Sequence, residues 1–119
     1  MIAVIQRVSR GEVKVHEKSR GKIETGLVIL LGVADADEIR DADWLAEKIV
    51  SLRIFEDADD KMNLSIKDVA GKALVISQFT LLADYRRGRR PGFTKAAKPE
   101  KAVPLYEHFM DQLWLKDIE

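Results

Sequence analysis

Gly71-Lys72-Ala73-Leu74-Val75-Ile76-Ser77-Gln78-Phe79-Thr80-Leu81 is the stretch on which the fold turns. Residues 73–76 form a short continuous apolar run after Gly71-Lys72, which predicts a strand buried on both faces. The strand is expected over 72–81. At its carboxyl end it turns polar, with Ser77, Gln78 and Thr80 around Phe79. A buried strand that ends in hydroxyls and an amide delivers polar groups to a pocket. In extended backbone Ser77 and Phe79 share one face, and Gln78 and Thr80 the other. A bend there would aim the backbone N–H groups of Phe79 and Thr80 at a bound carbonyl. Such donors stabilise a tetrahedral oxyanion without a titrating side chain. Thr80 could then orient a water or act as nucleophile. The plainer reading, that Ser77 and Thr80 only hydrogen-bond a strand end, stays open.

Working outward, Gly26-Leu27-Val28-Ile29-Leu30-Leu31-Gly32-Val33 is a second run of the same kind and predicts a second strand buried on both faces. Residues 2–9 predict a strand that Gly11 breaks. Residues 12–18 alternate with period 2, so one face of that strand meets water. Ser19-Arg20-Gly21 is the expected turn, and 22–24 a short strand. Ile39, Ala42, Leu45, Ile49 and Leu52 recur at helical spacing and predict an amphipathic helix over 38–52, with Trp44 off the stripe. Residues 53–55 read as a strand, 56–60 as an acidic turn, and 62–66 as a short strand or irregular segment. Pro99 suits a first helical turn, and Ala102, Tyr106, Phe109 and Leu113 give the last helix its apolar stripe. Pro104 inside that stripe predicts a late start or a bend. Strands on both sides of a helix, joined by hairpin-like connections, predict an α+β fold with curled, largely antiparallel, barrel-like sheets and two main helices.

The 119 residues suit one domain, 1–119, with a core of its own. The chain has no cysteine, which excludes disulfides, thiolate metal sites and a cysteine nucleophile. No apolar run reaches the roughly 18 residues of a membrane span, so no membrane partner is expected. Charge is balanced at 20 basic and 20 acidic side chains but unevenly spread. Residues 86–101 hold Arg86, Arg87, Arg89, Arg90, Lys95, Lys98 and Lys101 against Glu100 alone. Residues 35–47 hold Asp35, Asp37, Glu38, Asp41, Asp43 and Glu47 against Arg40 alone. A local basic stretch in a neutral protein fits a defined anion contact better than a general nucleic-acid coat. An ordinary solvated loop is the other reading. Residues 83–97 show no periodicity and read as one long loop.

Familiar catalytic constellations find little support. His16 alternates with Lys14 and Lys18 on a wet strand face, and His108 falls off the last helix's stripe and is expected to face water. That makes a Ser-His-Asp triad a poor fit. The acids at 56–60 lack the spacing and terminal glutamate of a calcium loop. No metal site and no cofactor are expected.

Ser77-Gln78-Phe79-Thr80-Leu81, followed by Gly88-x-Arg90-Pro91-x-Phe93, resembles the D-aminoacyl-tRNA deacylase family. The opening Met1-Ile2-Ala3-Val4-Ile5-Gln6-Arg7-Val8 is similar to that family's first strand, and the 26–33 run to its central strand. Arg53-Ile54-Phe55 with Lys61-Met62-Asn63-Leu64, and Pro99-Glu100 with Leu105-Tyr106 and Phe109, match two more blocks in order. The resemblance implies a cytoplasmic homodimer that hydrolyses the ester between a D-amino acid, or glycine mischarged on tRNA-Ala, and the 3′-terminal adenosine of tRNA. It implies that Ser77, Gln78, Phe79 and Thr80 line the catalytic pocket. Thr80 is left as nucleophile or as wall, and the residues themselves favour the wall. It implies that Arg7 supports a chirality-selecting segment, and that Arg90, Pro91 and Phe93 lie on the substrate side, with tRNA as partner. An aminoacyl ester is already reactive, so orientation and oxyanion donors could suffice. The family also carries a terminal strand with a Gly-cis-Pro that reaches into the partner's pocket. Residues 1–119 contain no Gly-Pro dipeptide, and Pro91-Gly92 is the reverse order, so a C-terminally shortened domain is the expectation. A non-catalytic tRNA-end or nucleotide-binding module of the same fold is the alternative, and a hydrolase of small esters a third.

Overall fold

A computed structural model describes residues 1–119 apart from Tyr85, Arg87, Asp117 and Glu119. Arg87, counted in the basic stretch above, therefore lies outside the described residues. Among the described residues, seven strands precede the last helix: β1 (Ile2–Val8), β2 (Gly11–Val15), β3 (Lys18–Ile23), β4 (Gly26–Gly32), β5 (Phe55–Glu56), β6 (Met62–Leu64) and β7 (Lys72–Ser77). Helix α1 (Ile39–Ser51) separates β4 from β5, and α2 (Pro99–Leu115) closes the chain. The main sheet has the order β1-β4-β7, while β2-β3 and β5-β6 are two-stranded. β1 runs antiparallel to β4, and β7 runs parallel to it. The architecture is α+β with mostly antiparallel pairing, as the residue pattern predicts.

β4 is the organising strand. Leu27, Ile29 and Leu31 point into one core with Ala42, Ala46 and Ile49 of α1 and Phe109 and Leu113 of α2. The 26–33 run is buried because helices cover this face and β2 approaches the other. A Cβ on Gly11 would meet the Val28 side chain at 2.9 Å. β7 differs from expectation. It is an edge strand, so residues 73–76 are half-buried rather than enclosed on both sides. It also stops at Ser77, and residues 79–82 form a 3-10 turn instead of extending the strand.

The turn expected at Ser19-Arg20-Gly21 falls elsewhere. Val15 pairs with Lys18, leaving a two-residue loop at His16 and Glu17, whose φ angles are +51° and +65°. Two consecutive positive φ values define the type I′ geometry that suits a twisted hairpin. Gly21 has a different job: a Cβ there would meet the Leu74 side chain at 2.7 Å, so it lets β3 approach β7.

α1 spans nearly the expected range and is closed by a capping box between Glu38 and Asp41. Ile39 is exposed, so the stripe begins one turn later than the sequence suggests, and Trp44, off the stripe, is exposed as well. α2 begins at Pro99 and passes through Pro104 without a late start. His108 does not face open water. Its Nε2 lies 2.6 Å from Asp43 Oδ1, joining the two helices. The Met1 ammonium is buried against Asp37, whose two oxygens lie 2.8 and 2.7 Å from it. Asp37, only 8% exposed, also accepts the Ala34 N–H at 2.7 Å.

Candidate active site

The site grows from the carboxyl ends of β4 and β7. Ser77 pairs with Leu31, and the next amide, Gln78 N–H, donates to the Leu31 carbonyl at 2.8 Å. That bond fixes where the chain leaves the sheet. The 3-10 turn then folds over Gly32, where a Cβ would meet Leu82 Cδ2 at 2.5 Å, the Gln78 carbonyl at 3.1 Å and Leu81 Cβ at 3.1 Å. Only glycine leaves room for the turn to pack this closely. The bend that could present backbone donors is therefore present as a 3-10 turn. The Phe79 and Thr80 N–H groups are its opening donors, which such a turn leaves without internal partners. The Leu81 N–H donates to the Gln78 carbonyl at 3.3 Å, and the Ala83 N–H to the Thr80 carbonyl at 3.1 Å.

The Gln78 side-chain amide donates to Thr80 Oγ1. The hydroxyl oxygen thus accepts from an amide N–H, so the contact orients the Thr80 hydroxyl without removing its proton. The Phe79 ring, 55% exposed, meets the Phe93 ring edge-on with centroids 5.1 Å apart and planes at 66°. Phe93 follows Gly92 at the returning end of the basic loop, which has no helix or strand among its described residues, as the sequence predicts, but is closed at its base. The Asp84 N–H donates to the Gly92 carbonyl at 2.7 Å and the Gly92 N–H to the Asp84 carbonyl at 2.9 Å, an isolated bridge that closes the base of a hairpin-like loop. Gly88, near its tip, has φ +97°. Asp84 also accepts the Arg86 backbone N–H and Nε–H at 3.0 Å each and Nη2–H at 2.8 Å. Chiefly through that side-chain hydrogen bond, Arg86 holds the Asp84 carboxyl far below the usual carboxylate range. Beyond the hairpin the chain is stitched to β4's exit: the Ala97 N–H donates to the Val33 carbonyl at 2.9 Å, and the Asp35 N–H to the Lys95 carbonyl at 2.9 Å. A hollow of about 540 Å³ lies between Ile2, Leu82, Ala83, Asp84, Arg86 and Lys95.

Ser77, Gln78, Phe79 and Thr80 thus sit in one turn, with Phe93 against it and the exposed Arg90 and Pro91 on the adjoining hairpin. Arg7 is placed elsewhere. It pairs with Leu27, four residues along β4 from Leu31, or about 13 Å at the usual strand rise. There its Nη1 donates to the Ile54 carbonyl at 2.8 Å, and its Nη2 lies 3.7 Å from Glu56. Residue pattern gave no hint of Asp84 or Gly32. Asp84 is one acid before an arginine cluster, and its closure partner, Gly92, is eight positions on. Gly32 reads simply as the end of an apolar run.

The fold and site define a class: an α+β protein whose edge strand β7 leads into a polar turn beside a cationic hairpin. Within that class, residues 4–118 match the family model for D-Tyr-tRNA(Tyr) deacylase, and the chain belongs to that family. A D-aminoacyl-tRNA deacylase of Geotalea uraniireducens is 55% identical over 114 residues, covering 96% of this chain and 74% of the relative. One from Thermotoga petrophila is 53% identical over 119 residues, covering all of this chain and 80% of the relative. Among solved structures, c-Myc DNA Unwinding Element Binding Protein superposes with a TM-score of 0.90 at 35% identity, over 96% of this chain and 76% of that one. A probable eukaryotic D-amino acid tRNA deacylase shares the fold, with a TM-score of 0.78 at 16% identity over 95% of this chain and 66% of that one.

Proposed function

We propose that the chain hydrolyses the ester of D-aminoacyl-tRNA, and of glycine mischarged on tRNA-Ala, in chiral proofreading of translation. Family membership over residues 4–118 carries this reading. The site chemistry supports it. Water attacks the ester carbonyl, the Phe79 and Thr80 N–H groups stabilise the tetrahedral oxyanion, and the acyl–oxygen bond breaks. The ribose oxygen leaves with a proton, giving free amino acid and tRNA. Thr80 acts as wall: Gln78 fixes its hydroxyl, and no base reaches it among the hydrogen bonds of the turn. Ser77 and Gln78 border the aminoacyl group, Phe79 and Phe93 flank the adenosine, and Arg90 and Pro91 face the tRNA.

The reading extends to a homodimer. β7 is an open edge of the main sheet, and Ile2 and Val4 are exposed on its other edge strand, β1. Arg7, far from the turn within one chain, would serve the site of a second copy. The cytoplasm, where aminoacyl-tRNA is made and used, is the proposed compartment. Among the described residues no helix is long and apolar enough to cross a membrane. The test is release of D-tyrosine from D-Tyr-tRNA by folded protein in excess, with L-Tyr-tRNA alongside. D-ester loss no faster than in buffer would end the proposal. Equal loss of both esters would end its chiral part.

A further inference from the structure

We propose that the cationic hairpin divides its arginines by role: Arg86 is an internal strut locked to Asp84, while Arg89 and Arg90 are the contacts that take tRNA backbone phosphates. This rests on tRNA being the substrate partner, and it assigns functions within a stretch that composition treats as one block of positive charge.

The strut is visible in the bonds. Asp84 sits at the hairpin's base, paired with Gly92 through two backbone hydrogen bonds. Its carboxylate takes three donors from Arg86, one from the backbone and two from the guanidinium. A guanidinium engaged on a carboxylate by two N–H groups is largely neutralised and fixed in direction. A phosphate approaching Arg86 would find only the Nη1 N–H pair and one Nη2 N–H left, on a guanidinium whose charge Asp84 already offsets. Arg89 and Arg90 are different. Both are exposed, and among the described residues neither has a hydrogen-bond or ion-pair partner. They follow Gly88, whose φ of +97° turns the chain at the tip and whose missing side chain leaves open space around it. Two uncompensated cations beyond a glycine turn, on a base anchored beside the candidate pocket, suit a polyanion running past the site. Phosphate contacts of this kind position a substrate without reading its sequence. Asp84 is then a positioning residue: it aims the hairpin through Arg86 and touches no substrate.

Two physical differences separate the roles. A phosphate contact releases counterions, so removing one lowers the slope of log K against log salt by about 0.7–0.9, and a strut does not. Lysine can replace arginine as a point charge at a phosphate but cannot reproduce a two-pronged carboxylate contact. The experiment measures binding of uncharged tRNA to the full chain across a salt series. Arg89→Gln and Arg90→Gln should each lower the slope by about 0.7–0.9, and Arg89→Lys and Arg90→Lys should bind almost as the parent does. Arg86→Lys and Asp84→Asn should each weaken binding by about three- to tenfold with the slope retained, and the double variant should be no worse than either alone.

The inference is overturned if Arg86→Gln lowers the slope as Arg89→Gln does, if Arg86→Lys binds like the parent, or if Asp84→Asn tightens binding by releasing Arg86. It is equally overturned if the parent protein shows no salt-sensitive tRNA binding. A measurement on the protein alone keeps folding defects apart: the Arg86 Nε–H proton should resist exchange at neutral pH and lose that protection in Asp84→Asn. Rapid exchange of that proton in the parent would also overturn the strut. Deacylation of D-Tyr-tRNA is scored separately. Binding that divides as stated without turnover rejects the proposed function and keeps this assignment. Turnover with indistinguishable slopes does the reverse.

Discussion

The two halves of the candidate site, adjoining in the chain, are held by opposite means. The 77–82 turn is fixed by backbone: a strand register, one amide on the Leu31 carbonyl and close packing over Gly32. Among the described residues, the hairpin is held by a backbone bridge between Asp84 and Gly92 and by the Asp84–Arg86 pair at the surface. A pocket that must hold reacting atoms within fractions of an ångström needs the first kind of support. A surface that only steers a long polyanion tolerates the second. Covalent neighbours can thus differ in stiffness because their tasks differ.

Both halves lose their footing if β4 and β7 separate. A Cβ on Gly26 would lie 1.8 Å from the Lys72 carbonyl oxygen, with backbone carbon and nitrogen at 2.8 Å. Nothing there can swing aside, so Gly26→Ala is expected to cost more than about 4 kcal/mol and to abolish cooperative unfolding under native conditions. Circular dichroism with a urea titration checks this. Next comes Asp37→Ala, which strands the buried Met1 ammonium and frees the Ala34 amide where the hairpin's return strand is stitched. Removing one partner of a buried pair costs about 3–5 kcal/mol. A midpoint shift worth under about 1 kcal/mol would show that this ammonium is solvated.

Gly32→Ala moves the turn alone. Its Cβ would push Leu82 and the Gln78 carbonyl, an overpacking cost of about 1–3 kcal/mol. A displacement near 1 Å at reacting groups is worth about 10²-fold in rate. The expected result is a large fall in kcat for D-Tyr-tRNA with nearly unchanged tRNA binding, because the hairpin stays put. Equal falls in both would mean that the two halves move together. Thr80→Ala separates wall from nucleophile. The wall role predicts a loss of about tenfold or less, against roughly 10⁴ or more for a true nucleophile, read from single-turnover rates.

How much of this was legible beforehand depends on the range of the forces involved. The 26–33 run, the α1 stripe and the Pro99 start were readable because burial repeats along the chain with a fixed period. Leu27, Ile29 and Leu31 show it, as do Ala42, Ala46 and Ile49. What misled was residue type without its neighbour. Ser19-Arg20-Gly21 has turn chemistry, yet Gly21 serves the approach of Leu74, and His16 and Glu17 make the turn. His108 is off its own helix's stripe but meets Asp43 across the helix pair, 65 positions away. The apolar run at 73–76 looked enclosed, but whether a strand lies at the edge depends on what pairs beyond it. In the site, the 77–80 motif was readable in identity and not in shape. The bend at Gln78 depends on the Leu31 carbonyl and on Gly32, neither of which the motif contains.

The smallest expected effect is the absence of one, and it tests the charged pair at the hairpin's base. Chiefly through its hydrogen-bonded side chain, Arg86 lowers the Asp84 carboxyl from its ordinary 3.8 to below the carboxylate range, and Asp84 in turn, chiefly through the same bond, raises the Arg86 guanidinium above its ordinary value. A carboxyl with a depressed folded value stabilises the fold fully above its unfolded value and loses that contribution only as pH falls through the folded one. The pair is therefore charged on both sides across pH 5–8 and stays so well below Asp84's ordinary midpoint. Protection of the Arg86 Nε–H should persist as pH is lowered past 3.8, and tRNA affinity at fixed salt should show no step assignable to Asp84 between pH 5 and 8. Loss of protection centred near 3.8 would place Asp84 among ordinary solvated carboxylates. The hairpin would then hang on its backbone bridge alone, and the contrast with the turn would be one of packing rather than of charge.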